Sequence, residues 1–223
     1  MAPTTPTPDL AQDLIRIHRV ITRSLNITKT KGKEFLVSGF PSDQCLLGYT
    51  SYTHCLLSVL GSHHQGEDLI AFPAFRKVLP SAPYAQLLMD HHGIETLLAQ
   101  LAPAIADVSS DAPDIGLRII VDTIQKMLEI WEPHIQLEEY YFSREALSAV
   151  LDSEEQRLIG EAASKHSQEH SGPPYWVIPF ILFNLDRKDR ETMAASFPPM
   201  IMDDLVPKVW KDQWAPMKSF LLD

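Results

Sequence analysis

Apolar residues recur at intervals of three and four along most of this chain, and strand-like alternation is hard to find. Leu10, Leu14, Ile17, Ile21 and Leu25 share one face, which predicts a first helix from Asp9 to about Ile27. Thr28 to Pro41 reads as a basic, then apolar, connection. Ser42 can cap a second helix that runs to about Asp68 through Leu46, Tyr49, Leu56 and Leu60. Pro80 and Pro83 bracket the next break, and a third helix runs from about Tyr84 to Leu101. Pro103 to Pro113 reads as a loop. A fourth helix covers Asp114 to Phe142, with a kink expected at Pro133 because proline removes a backbone bond. Ser153-Glu154-Glu155-Gln156 reads as a capping box opening a fifth helix, which Gly172-Pro173-Pro174 ends. A short apolar run, Tyr175 to Leu185, follows. Asp186 then caps further helices.

These elements predict an all-α protein. Residues 9–142 form an antiparallel four-helix bundle, and 143–223 form an additional helical segment packed on it as part of the same globular unit. Three of the four tryptophans (Trp176, Trp210, Trp214) lie in that segment, which argues for packing rather than a free tail. Met1 to Pro8, MAPTTPTP, has neither a basic nor an apolar region of a secretory signal and reads as a disordered lead-in.

Composition narrows the function. Nineteen Lys and Arg against 29 Asp and Glu give the 223-residue chain a net charge of −10. Nucleic acid and anionic membranes both require a basic face, so neither is expected as a partner. Two cysteines, Cys45 and Cys55, exclude a disulfide framework and make a thiolate zinc site untenable. No apolar run is long enough to span a bilayer. A cytoplasmic location is the expectation.

The nine histidines carry the chemistry. His18 lies on the first helix. His63 and Glu67, His91 and Glu95, and His134 and Glu138 each form a His-x-x-x-Glu pair on the second, third and fourth helices. A spacing of four puts two side chains on one helical face, one turn apart. Each pair continues an apolar stripe: Leu56, Leu60, His63 and Glu67; Leu87, His91, Glu95 and Leu98; Trp131, His134, Glu138 and Tyr141. Imidazoles and carboxylates on apolar faces are costly unless paired or bound to metal. One histidine from each of four helices with carboxylates between them suits a pair of iron ions. His64 and His92 sit one position round and are expected to point elsewhere, and Glu139 is expected to stand outside the ligands. His54 reads as structural. His166 and His170 have ligand spacing, but their place at a helix end favours a dipole interaction or solvent over a lid on the bundle.

The order His18, then His63-His64-x-x-Glu67-Asp68 with Phe72-Pro73, then Asp90-His91-x-x-x-Glu95, then His134-x-x-x-Glu138-Glu139 resembles the hemerythrin-like, HHE cation-binding family over about residues 9–142. The resemblance implies a non-haem di-iron centre. His18 and His63 would bind one iron, His91 and His134 the other, and Glu67 and Glu138 would bridge. The chain departs from oxygen-carrying hemerythrin in two places. Glu95 stands where the carrier has a second histidine. The carrier's last carboxylate is an Asp five residues past its histidine; here Glu138 is four past His134 and Glu139 five. Four-residue spacing is usual in the wider group, which favours Glu138 over Glu139.

A carboxylate in place of an imidazole at Glu95 adds negative charge, lowers the reduction potential and moves the reading from oxygen carriage toward oxygen activation. The expected function is therefore a di-iron protein that binds and activates dioxygen, an oxidoreductase on a small, apolar organic substrate. Competing readings are an oxygen or iron sensor, carrier or store without turnover, a divalent-metal isomerase or hydrolase using zinc or manganese, and a bundle with a vestigial site. Tyr49, Tyr52, Tyr140 and Tyr141 read as core rather than as donors near the metals, and Tyr175 to Leu185 as packing rather than a substrate tunnel. Oligomeric state stays open.

Overall fold

The computed structural model describes residues 9–110 and 112–223; the expected lead-in of residues 1–8 lies outside them. All regular structure among the described residues is helical. Four long helices build the bundle: α1 (Leu10–Ser38), α2 (Asp43–Gly66), α4 (Tyr84–Val108) and α5 (Pro113–Tyr141). A π-helical turn, Glu67–Ala71, joins α2 without a break to the short α3 (Phe72–Val78). After the bundle come α6 (Arg144–Ser148), α7 (Ser153–His170), α8 (Pro174–Phe183) and α9 (Arg187–Ala194). A π-helical segment Ile201–Val209, α10 (Lys211–Trp214) and a 3-10 segment Ala215–Phe220 complete the chain.

Helices adjacent in sequence are neighbours in space, and α5 closes the ring against α1. They run antiparallel, since the early α1 residue His18 meets His63 late in α2 and Glu138 late in α5. Ser42 caps α2 through the Cys45 amide at 3.2 Å, and Asp186 caps α9 through the Asp189 amide at 2.9 Å, both as expected. The capping box of α7 sits one residue earlier than the sequence suggests. Asp152 accepts from the amides of Glu154 and Glu155, and Glu155 accepts from the Asp152 amide, each at 2.9 Å.

Three boundaries differ from the sequence reading. α1 continues eleven residues past Ile27, because Leu25, Thr28, Gly32 and Phe35 extend its buried stripe. Gly32 marks a close crossing: a Cβ there would lie 2.6 Å from the Tyr49 hydroxyl and 2.7 Å from Val121. α4 runs through Pro103 to Val108, because Leu101, Ala104, Ile105 and Val108 pack against α5, and that burial outweighs the roughly 3 kcal/mol a proline costs within a helix. The second helix passes Asp68 through the π-helical turn. α5 likewise runs through Pro133.

The core has two parts. The larger spans the bundle from Phe35 and Tyr49 at one end to Trp131. The smaller, around Phe72, Phe75, Tyr84 and Phe142, closes the other end. The C-terminal segment lies along α2, where Ala215–Phe220 makes its most extensive contact. There a Cβ on Gly48 would stand 2.0 Å from the Pro216 carbonyl oxygen. Gly48→Ala should therefore lift this segment and cost about 1–3 kcal/mol, the usual range for overpacking, read as a lower urea midpoint at unchanged slope. Trp176 and Trp214 are half-buried against the larger core, and their indole N–H groups donate to the carbonyls of Gln213 and Val206. No helix among the described residues is long and apolar enough to cross a membrane.

Candidate metal centre

Where the two cores meet, the four long helices turn polar side chains inward. His18, Glu67, His91, His134 and Glu138 are each no more than 5% exposed, and the His63 side chain is 8% exposed. They fall into two overlapping groups. His18, His63, Glu67 and Glu138 offer donor atoms within 4.8 Å of one another, and so do His64, Glu67, His91 and His134. Glu67 belongs to both. Its Oε2 lies 3.5 Å from His63 Nε2 and 3.5 Å from His91 Nε2. Glu138 spans the same gap from the far side, with Oε2 3.3 Å from both His18 Nε2 and His134 Nε2. Each carboxylate thus stands between one imidazole of either group, where a bridging ligand belongs.

Outside this ring stand three more carboxylates. His18 Nδ1 donates to Glu139 at 2.9 Å and His91 Nδ1 donates to Asp68 at 2.6 Å, while Asp90 lies 3.5 Å from His134 Nδ1. An ionised carboxylate can only accept, so the two hydrogen bonds put a proton on Nδ1 of His18 and of His91 and turn each Nε2 inward, whereas His134 Nδ1 makes no hydrogen bond to Asp90. His91 Nε2 and His134 Nε2 face each other at 3.1 Å. With His91 protonated on Nδ1, His134 Nε2–H donates to His91 Nε2 in the metal-free chain, and a cation there would take the place of that proton.

The donor atoms fit a metal by a second criterion. His18 Nε2, His63 Nε2, His64 Nε2, Glu67 Oε2 and both Glu138 oxygens are buried and make no aligned hydrogen bond. A buried polar atom without a partner costs about 1–3 kcal/mol, and several in one place mark a ligand-binding cluster. Burial, reinforced by the neighbouring His18, holds the His63 imidazole well below its usual pKa, and burial next to His91 does the same to His64. Both therefore stay neutral, as ligands must. Burial also pulls on His18, but Glu138 and Glu139 outweigh it and raise its pKa. Burial and the nearby Glu138 push the Glu67 carboxyl well above the ordinary range. Glu138 is held well below it, because His134 and His18 overcome the cost of burial.

One expected ligand is corrected. Glu95 is 77% exposed and belongs to neither group; its neighbour is the equally exposed His92 at 3.9 Å. The inward line of α4 is Leu87, His91, Ile94, so the core lies on the i+3 side of His91 and the i+4 position turns to solvent. Oxygen activation loses the argument drawn from Glu95. Glu95→Ala should leave metal content unchanged within error in an elemental assay. The opposite correction applies to His64, expected to point elsewhere but 5% exposed and inside the second group. Glu139 sits on His18 as an outer carboxylate; Asp68, read only as part of a motif, holds His91, and Asp90, also read only so, lies 3.5 Å from His134 Nδ1.

The surroundings are largely aromatic. Trp131 is fully buried with its ring 5.5 Å from that of His18, and its indole N–H donates to Thr22 Oγ1 at 2.8 Å. Phe72 stacks on His91 at 5.4 Å. Tyr49 and Tyr52 are core residues that donate to the Thr28 carbonyl and to Asn184 Oδ1, and Tyr140 is exposed. His166 and His170 stack on each other at 4.1 Å near the end of α7, outside both groups. A cleft of about 410 Å³ between α1 and α5 is lined by Ile15, His18, Arg19, Thr22, Arg23, Ile135 and Glu139, and so reaches an imidazole of the cluster.

A family model described as the hemerythrin HHE cation binding domain matches residues 10–146, the bundle and the start of α6. Comparison with curated proteins finds no match. Comparison with solved structures finds none either.

Proposed function

Because the chain belongs to the hemerythrin HHE cation-binding family, we propose that its core holds two iron ions, binds dioxygen there and activates it for the oxidation of a small organic molecule. The observation that carries this reading is the pair of overlapping four-residue groups that share Glu67, with their donor atoms buried and unpartnered. His18 and His63 would hold one ion, His91 and His134 the other, with Glu67 and Glu138 between. Zinc or manganese at the same ligands is the alternative loading, since His and Glu donors do not fix the metal. When bound, reduced iron supplies the electrons that dioxygen chemistry requires.

The protein's own contribution is orientation and charge. Glu139 and Asp68 hold the His18 and His91 imidazoles and raise their basicity, which favours the oxidised metal. Trp131 and the two apolar cores keep bulk water out. The α1/α5 cleft gives a small molecule with apolar surface, facing Ile15 and Ile135, a way to the His18 edge.

The test is anaerobic loading with ferrous iron followed by air, with oxygen uptake and absorption recorded together. Fast, irreversible oxygen uptake that continues with added reductant is expected. A spectrum that reverses on degassing would replace this reading with carriage or sensing. Four contacts favour sensing as the second reading, because they tie α1, which carries His18, to the C-terminal segment. Arg16 and Arg19 pair with Asp189, and Arg23 donates to Asn184 and the Phe220 carbonyl. If sensing is the role, iron loading will change the rate at which a protease cuts residues 171–223.

A further inference from the structure

We infer that His64 is itself a metal ligand, a fifth imidazole that makes the two positions of the centre chemically unequal. The inference rests on the metal-binding reading above.

His64 follows His63 on α2, where successive side chains point about 100° apart. Both nevertheless reach the centre, one to each group. His64 faces Glu67, His91 and His134. Its Nε2 is buried without a partner, and its donor atom lies within 4.8 Å of theirs. Its ring lies 4.0 Å from that of His91, with 13° between the planes.

The competing account is that His64 is only an aromatic wall for His91. Phe72 argues against it. Phe72 covers His91 at 15° between planes and 5.4 Å, and it carries no polar atom. His64, Asp68 and Phe72 recur every four residues through the π-helical turn and together enclose His91. If shielding were the whole role of His64, an apolar ring would serve without a desolvated nitrogen. An imidazole whose Nε2 is buried without a partner beside two other imidazoles and a carboxylate completes a donor set.

The consequence is an asymmetric pair. One position has His18, His63, Glu67 and Glu138: two nitrogens and two carboxylates. The other has His64, His91 and His134 with the same Glu67, and Glu138 lies 3.3 Å from His134 Nε2 as well: three nitrogens where the first position has two. The set with fewer imidazoles suits the harder ferric ion, while the imidazole-rich set suits borderline divalent ions.

The experiment is anaerobic titration of the metal-free full chain with Co(II) alone, comparing wild type, His64→Phe and His92→Ala. Phenylalanine keeps the stacked ring and removes the nitrogen, while His92 is 83% exposed and serves as the control. Two binding steps are expected in wild type and His92→Ala. His64→Phe should weaken one step by at least ~10-fold and leave the other within about twofold. Paramagnetically shifted imidazole signals in the NMR spectrum of Co(II)-loaded wild type should come from five rings. Two unaltered steps in His64→Phe, or four shifted rings in wild type, would overturn the role of His64 and leave the centre standing. Wild type that takes up neither Co(II) nor Fe(II) would overturn the metal-binding reading and this inference together. If His64→Phe loses its helical circular dichroism, the ring count in wild type decides alone.

Discussion

Glu67→Ala will empty both positions of the centre. Its carboxylate is the group shared by both donor clusters, midway between His63 and His91 at 3.5 Å from each Nε2. Removal of an outer partner of a metal ligand already costs ~10–100-fold in affinity, so loss of a carboxylate common to both ions should exceed ~100-fold. Losing it also leaves Glu138 as the one carboxylate in the two groups, so the charge of the ions is less well compensated. The measurement is metal per chain after dialysis, beside Glu95→Ala. Glu67→Ala should retain almost none and Glu95→Ala the full complement. If Glu67→Ala keeps one ion tightly, Glu67 is a terminal ligand and the shared position is wrong.

The stability of the metal-free chain will respond in opposite directions to changes at the two buried glutamates. Glu67 is pushed toward its neutral form by burial and by Glu138, and no aligned hydrogen bond satisfies its Oε2. Methionine there removes a desolvated polar atom at similar volume, so Glu67→Met should stabilise the metal-free chain, by about 1–4 kcal/mol if it behaves like other buried charges replaced by apolar groups. Glu138 is different, because it is ionised and sits 3.3 Å from both His18 and His134. Glu138→Met strands those imidazoles and should destabilise by about 3–5 kcal/mol. Urea unfolding in chelator measures both. The same substitutions should both weaken metal uptake, so Glu67→Met exchanges binding for stability. Parallel shifts for the two variants would contradict the charge assignment.

How far the sequence carries this reading depends on the helix. On α1 and α5 the buried stripe is regular, and His18, His134 and Glu138 sit on it where periodicity places them. On α4 the spacing rule fails at Glu95. A separation of four defines a shared side of the helix but not which edge of that side meets the core, and here Ile94 takes the inner edge. On α2 the pattern itself is blurred. The bundle packs on one side of this helix, and α7, α8 and the 3-10 segment Ala215–Phe220 pack on others, so Thr50, Ser51, Ser62 and His64 are buried alongside the leucines. Only long-range packing buries His64, and that leaves no local signal. The π-helical turn is the other hidden element. It adds a residue to the turn, which lets Glu67 enter the cluster while the next residue, Asp68, reaches His91 Nδ1. The length of α1 is hidden because lysines at 29, 31 and 33 suggest a connection, whereas Thr28, Gly32 and Phe35 among and around them continue the buried line.

The central claim is that buried histidines and glutamates of four helices hold a pair of metal ions, and iron in particular. The most direct test is elemental analysis of the full chain purified in air after expression with iron, joined to its absorption spectrum before and after reduction. About two irons per chain with a near-ultraviolet charge-transfer band that disappears on reduction is the predicted result. A chain that carries only zinc, or no metal, and still refuses iron after reconstitution would contradict it.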